Sequence, residues 1–219
     1  MTLPPQTPAQ ASELLDPAQQ PQDIPERLAR QIGFIAEVDR LKTVLRLSPL
    51  LAADRRENDA EHSWHLALMV LVLAEYANEP VDVERTLKLV LVHDLVEIHA
   101  GDTCLFDDVG KSDQAEREQA AADRLFALLT KDQEEEFRAL WDEFEARRTP
   151  EARFAKAMDR LQPLILNFGN QGGTWRTPGV TEKVVRERTS VIGEGSRELW
   201  SYTEKMLALG AERGWIARD

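Results

Sequence analysis

Four histidines, His62, His65, His93 and His99, cluster in one short region of a 219-residue chain. They stand beside acids: Glu61 precedes His62, Asp94 follows His93, and Glu97 lies one helical turn beyond His93. A lone imidazole on an apolar helix face is ordinarily a hydrogen-bonded core residue. A carboxylate buried beside two imidazoles is different, because it is costly without a compensating cation or donor. Asp159 sits among apolar neighbours in Ala157-Met158-Asp159-Arg160-Leu161. It either pairs with Arg160 or Lys156, or presents its oxygen to the same cation. Two neutral imidazoles and two carboxylates offset a divalent charge and leave positions open for water and substrate. This ligand chemistry suits Mn, Fe, Co, Ni or Zn, with Mg less favoured.

These residues need helices to carry them. A first helix is expected from Pro25, with Leu28, Ile32, Ile35 and Val38 at spacings of three and four. It continues through residues 41–46 and breaks at Ser48-Pro49. A second spans residues 60–76 and buries Leu66, Met69, Val70 and Leu73. A third spans 83–99 and stops at Gly101. A polar loop follows, and Ser112 resembles the cap of the next helix. Further helices are expected over 132–147 and from Thr149-Pro150, the latter with Pro163 inside. Residues 169–179, rich in glycine around Trp175, read as a mobile loop. Two short helices, near 180–192 and 196–213, close the chain. No strand alternation and no internal repeat is evident. The fold class is all-α, a compact multi-helix domain over residues 24–219. Six of the 11 prolines fall before residue 26, mixed with Gln and Ala. Residues 1–23 therefore read as a flexible tail, with too little apolar surface to offset its ordering entropy.

Composition limits the partners. Lys and Arg number 27 against 39 Asp and Glu, a net charge of −12. That balance argues against a nucleic-acid polymer, which needs clustered basic residues. The single Cys104 excludes a disulfide framework. No apolar run approaches the ~20 residues that span a bilayer. No secretory signal is visible, so a cytoplasmic protein is expected.

His62, His93-Asp94 and Asp159 match in order and spacing the H…HD…D signature of the HD-domain phosphohydrolase superfamily. Glu61-His62-Ser63, His93-Asp94-Leu95-Val96-Glu97 and Gly101-Asp102-Thr103 resemble its 5′-deoxynucleotidase branch. The resemblance implies one divalent metal on His62, His93, Asp94 and Asp159, and hydrolysis of nucleoside or deoxynucleoside 5′-monophosphates. It further implies catalytic roles for Glu97 and Asp102, a substrate contact by Arg46, and a homodimer. In this scheme Glu97 orients or deprotonates water, Asp102 or Thr103 meets the sugar or leaving oxygen, and Lys111 joins Arg46 at the phosphate. The division of acid and base between Glu97 and Asp102 stays open. The branch often has Arg-Trp where this chain has Arg46-Leu47, which leaves sugar selectivity open. A dinuclear phosphodiesterase is disfavoured because no histidine follows His99. A guanosine-tetraphosphate-type pyrophosphohydrolase is disfavoured by Ile98 after Glu97. A non-catalytic metal- or nucleotide-binding module would have no need of Glu97 and Asp102.

Overall fold

The computed structural model describes residues 23–107 and 109–218. Apart from Asp23, the segment read as a tail lies outside them. Helix α1 (Glu26–Val38) passes through a 3₁₀ turn (Asp39–Thr43) into a two-stranded antiparallel ribbon, β1 (Leu45–Pro49) and β2 (Arg56–Asn58). The expected helical continuation over 41–46 is thus a turn and a strand. In Leu45-Arg46-Leu47-Ser48-Pro49 side chains alternate, with Ser48 buried while Leu45 and Leu47 remain largely exposed. Leu41 and Leu45, four residues apart, mimic a helical apolar stripe, and five residues of strand are too few to separate the two periods.

Asn58 starts α2 (Asp59–Leu73) with a reciprocal cap. Its side chain accepts from the Glu61 N–H at 2.9 Å, and the Glu61 carboxylate accepts from the Asn58 N–H at 3.1 Å. Glu61 also pairs with Arg55, so it serves the helix end. Helix α3 (Val83–Val92) is capped by Asp82 and does not run on to residue 99. At residues 93–98 the backbone tightens. The N–H groups of Leu95, Glu97 and Ile98 reach back three residues, to Val92, Asp94 and Leu95. A short α4 (Glu97–Ala100) follows, and Gly101 ends it at φ +78°, a conformation that favours glycine.

Helix α5 (Gln114–Phe126) begins one residue later than expected, after Asp113. It is followed by α6 (Lys131–Ala146) and α7 (Pro150–Gly169). Thr149 caps α7 by accepting from the Ala152 N–H at 3.1 Å, and Pro150 occupies the first turn, where its missing N–H costs nothing. The helix continues past Pro163, which removes only the donor for the Asp159 carbonyl.

Helix α7 is the axis of the molecule. Phe154, Ala155, Ala157, Met158, Leu161 and Leu164 are buried against α2, α3, α6, α10 (Arg197–Glu212) and the short α9 (Ile192–Gly195). A Cβ on Gly195 would stand 2.4 Å from the Arg153 carbonyl oxygen, so glycine permits that close crossing. Helix α8 (Glu182–Thr189) precedes α9. The segment read as mobile holds a 3₁₀ turn (Gly173–Arg176) that buries Trp175 almost completely. Asn167 fixes this turn by accepting from the Thr174 N–H and hydroxyl at 2.9 and 3.0 Å. Trp175 is an anchor. Among the described residues no helix is long and apolar enough to cross a membrane.

Candidate metal and substrate site

The site gathers on four elements. His62 comes from α2, Asp159 from α7, and His93 and Asp94 from the tightened segment between α3 and α4. Arg46 comes from β1. Tight turns bring residues three apart onto one side. Glu97 therefore shares its direction with Asp94, not with His93 as a continuous helix would require. Asp59, Asp94 and Glu97 all present oxygens within 4.8 Å of one another.

His62, His93 and Asp159 likewise present ligand atoms within 4.8 Å of one another, all buried. His62 Nε2 stands 3.3 Å from Asp159 Oδ1 and 3.8 Å from Asp94 Oδ2. His93 Nε2 stands 3.0 Å from Asp94 Oδ1 and 3.9 Å from Asp159 Oδ1. Close as it is, His93 Nε2 has no aligned hydrogen-bond partner. Its Nδ1 donates to the Val90 carbonyl at 2.9 Å, so in the neutral ring Nε2 is the lone-pair nitrogen and faces the carboxylates. An inward, buried, unpartnered nitrogen among acid oxygens fits a cation ligand, so the residues present fit a divalent metal. The four expected ligands are all brought together.

Electrostatics agree with a site built around positive charge. Burial works against a charged His93, yet Asp94 and Asp159 outweigh it and push the imidazole up to about 9. His62 is raised too, its burial and the Arg46 charge outweighed by Asp159, Glu57 and Asp94. Burial also opposes ionisation of Asp94 and Asp159. His93 and Arg46 hold Asp94 below the ordinary carboxylate range, and Arg160 and Lys156 do the same for Asp159. Glu97 goes the other way. Burial first, then the charges of Asp94, Asp59 and Asp102, lift it well above its usual value. Burial and Asp94 bring Asp59 to about 6.

Arg46 is the internal cation of this acid group. Its Nη1 donates to Asp59 at 3.0 Å and Asp94 at 3.1 Å, and lies 3.8 Å from Asp102. Its Nε faces Glu57 at 3.7 Å. None of these four contacts uses Nη2. A cavity of about 570 Å³ opens over the group, lined by Arg46, His93, Asp94, Glu97, Asp102, Thr103 and Asp159. His62 lies behind it, fully buried. Lys111 also lines the cavity, with its ammonium on the Leu105 carbonyl at 2.6 Å.

Asp102 and Thr103 follow Gly101, and Arg117 on α5 pins their loop. It donates to the carbonyls of Ala100 and Gly110 and to Thr103 Oγ1. Sequence reading did not single out Arg117, Glu57, Asp59 or Gln162. The spacing held one signal: His65 lies three residues after His62, and Gln162 three after Asp159, so each shares its neighbour's helix face. His65 Nδ1 meets Gln162 Nε2 at 3.2 Å. His99 stands 3.5 Å from Glu37 of α1.

Comparison with known proteins agrees with this geometry. Residues 38–200 match the HD domain model. The chain is 31% identical over 135 residues to 5′-deoxynucleotidase HDDC2 of Bos taurus, covering 61% of this chain and 64% of that protein. The Danio rerio protein of the same name is 32% identical over 135 residues, with 61% and 66% covered. The match thus spans just under two thirds of these relatives' length. A crystal structure described as a predicted metal-dependent phosphohydrolase from Magnetospirillum magnetotacticum MS-1 superposes with a TM-score of 0.83 at 50% identity, covering 87% of this chain and 96% of that one. The helical architecture, the buried His/Asp cluster and a family match over most of its length show that this chain belongs to the HD-domain family.

Proposed function

We propose that this protein is a metal-dependent phosphomonoesterase that hydrolyses nucleoside or deoxynucleoside 5′-monophosphates to nucleoside and phosphate. One observation carries the reading. The Nε2 atoms of His62 and His93 and the carboxylates of Asp94 and Asp159 converge inside one buried cluster at the floor of a cavity. The relatives named 5′-deoxynucleotidase supply the substrate class. Those four side chains would hold one divalent ion, with Mn, Co, Fe, Ni or Zn favoured over Mg. When bound, such an ion polarises a phosphate oxygen and lowers the pKa of water beside it.

The chain's own groups do the rest. Arg46 offers Nη2 to a phosphate oxygen while Asp59 and Asp94 hold its other arm in place. Glu97 and Asp102 face the same cavity and form the acid–base pair. One of the two orients and deprotonates the attacking water, and the other supplies the proton to the leaving oxygen. Thr103, held by Arg117, contacts the sugar.

The reading includes a cytoplasmic location. It also includes a homodimer. The apolar face of α6 cannot serve, because Leu140, Trp141 and Phe144 lie in the core. The candidates are two outward stripes, Leu28, Ile32 and Ile35 on α1 and Trp64, Leu68, Leu71 and Val72 on α2, all exposed.

The test is phosphate release from a panel of ribo- and deoxyribonucleoside 5′-monophosphates in Mn, Co, Mg and Zn, with and without chelator. Release that depends on metal and disappears in Asp94→Ala supports the assignment. Silence across the whole panel refutes it.

A further inference from the structure

The structure assigns to Gln162 the task of deciding which nitrogen of His62 faces the ligand cluster. This inference rests on the metal-site reading above. A neutral imidazole carries one proton, and only the bare nitrogen can bind a metal. His93 has its choice made by a backbone carbonyl, which can only accept. His62 has no such backbone partner, although the Glu57 carboxylate also faces its Nδ1 at 3.6 Å. Its Nδ1 meets the side-chain amide of Gln162, with Oε1 at 3.1 Å. A carboxamide is ambiguous, because flipping it would present an N–H to Nδ1 and drive the His62 proton onto Nε2.

Glu57 removes the ambiguity. Its carboxylate, buried on β2, accepts from Gln162 Nε2 at 2.5 Å. The second N–H of the same amide reaches His65 Nδ1 at 3.2 Å. Both hydrogens are committed on that side, so the oxygen must face His62. Nδ1 of His62 then donates, and in the neutral ring Nε2, 3.3 Å from Asp159, is the nitrogen left to take an ion. Gln162, hydrogen-bonded to His62, and Glu57, hydrogen-bonded to Gln162 and 3.6 Å from His62 Nδ1, are therefore positioning residues. His65 acquires a role as the second acceptor on the amide.

The experiment titrates Mn²⁺ into metal-free protein by calorimetry, with the Co²⁺ absorption spectrum as a second readout of ligand geometry. Gln162→Met keeps the length and removes the polarity. Glu57→Gln keeps the shape and lets the amide flip. Each is expected to weaken Mn²⁺ binding about 10- to 100-fold, the usual cost of losing an outer partner of a ligating histidine. The exchanged pair, Glu57→Gln with Gln162→Glu, puts a carboxylate directly on His62 Nδ1 and an amide donor behind it. It is expected to recover affinity to within about threefold of wild type and to restore the Co²⁺ spectrum. Unchanged affinity in both single variants overturns the inference, and so does a pair no better than the singles. If Gln162→Met does not fold, Glu57→Gln and the exchanged pair decide by the same criteria. Failure of the wild type to bind Mn²⁺ sinks the metal-site reading and this inference with it. Wild-type binding with unaffected variants sinks the inference alone.

Discussion

Replacing Arg46 with methionine should cost stability in a pH-dependent way. Arg46 is the one guanidinium facing Glu57, Asp59, Asp94 and Asp102, at 3.7, 3.0, 3.1 and 3.8 Å. At an effective dielectric constant of about 20, one unit pair at ~4 Å is worth about 4 kcal/mol. The loss is not four times that, because desolvation of the arginine and repulsion among the acids already offset much of it. Breaking a buried pair by removing one partner typically costs about 3–5 kcal/mol. The variant has an escape, since Asp59, already raised to about 6 with Arg46 present, can take a proton. Removing the cation raises it further above its unfolded value. A carboxylate raised by folding destabilises when ionised, so the penalty is full above the raised pKa and fades as pH falls toward the unfolded value. For one extra bound proton the slope is about 1.4 kcal/mol per pH unit. Urea unfolding of metal-free wild type and variant at pH 8 and pH 6 checks this. The expected stability loss is about 3–5 kcal/mol at pH 8 and smaller by 1 kcal/mol or more at pH 6. A loss below about 1 kcal/mol, or one equal at both pH values, would refute the description of Arg46 as the charge that holds the acids together.

Chelator treatment should abolish phosphate release from a monophosphate substrate, and added Mn²⁺ should restore it; unimpaired turnover in chelator would contradict the proposed site. Arg117→Leu removes the anchor of the loop bearing Asp102 and Thr103 and should lower kcat/KM about tenfold, equivalent to ~1.4 kcal/mol, with metal affinity retained. Trp175→Ala empties a buried site against α10 and should cost about 3–5 kcal/mol in denaturant unfolding. Leu71→Glu on the exposed stripe of α2 should halve the mass seen by light scattering, and an unchanged mass would redirect the dimer contact elsewhere.

Much of the site was legible because its chemistry lies in rare residues. Two of the four histidines, His62 and His93, match the family signature in order and spacing together with Asp94 and Asp159. The long helices were legible from their caps and apolar spacing, as at Thr149-Pro150. Three features were not. The apolar run Leu87–Val92 gives no warning that the helix ends there, because the tightening at 93–98 follows from packing. Arg55-Arg56-Glu57-Asn58-Asp59 looks like a solvated charged loop, yet Glu57 and Asp59 are buried. Their burial depends on Arg46 across the ribbon and on Gln162 of α7, neither of which is a local neighbour. Gln162 itself carries no charge and no motif, and its importance appears only once its amide is seen between His62 and Glu57.

The proposed ligands come from distant parts of the chain. His62 and Asp159 lie 97 residues apart in sequence yet meet at 3.3 Å. An ion shared by them acts as a cross-link that closes long loops, and the unfolded chain presents no such set of ligands. With the proposed site, metal saturation would be a folding variable as well as a catalytic one. At an ion concentration 100 times its dissociation constant, linkage adds about 2.7 kcal/mol to global stability. Withholding the metal thus selectively lowers the cost of separating α2 from α7.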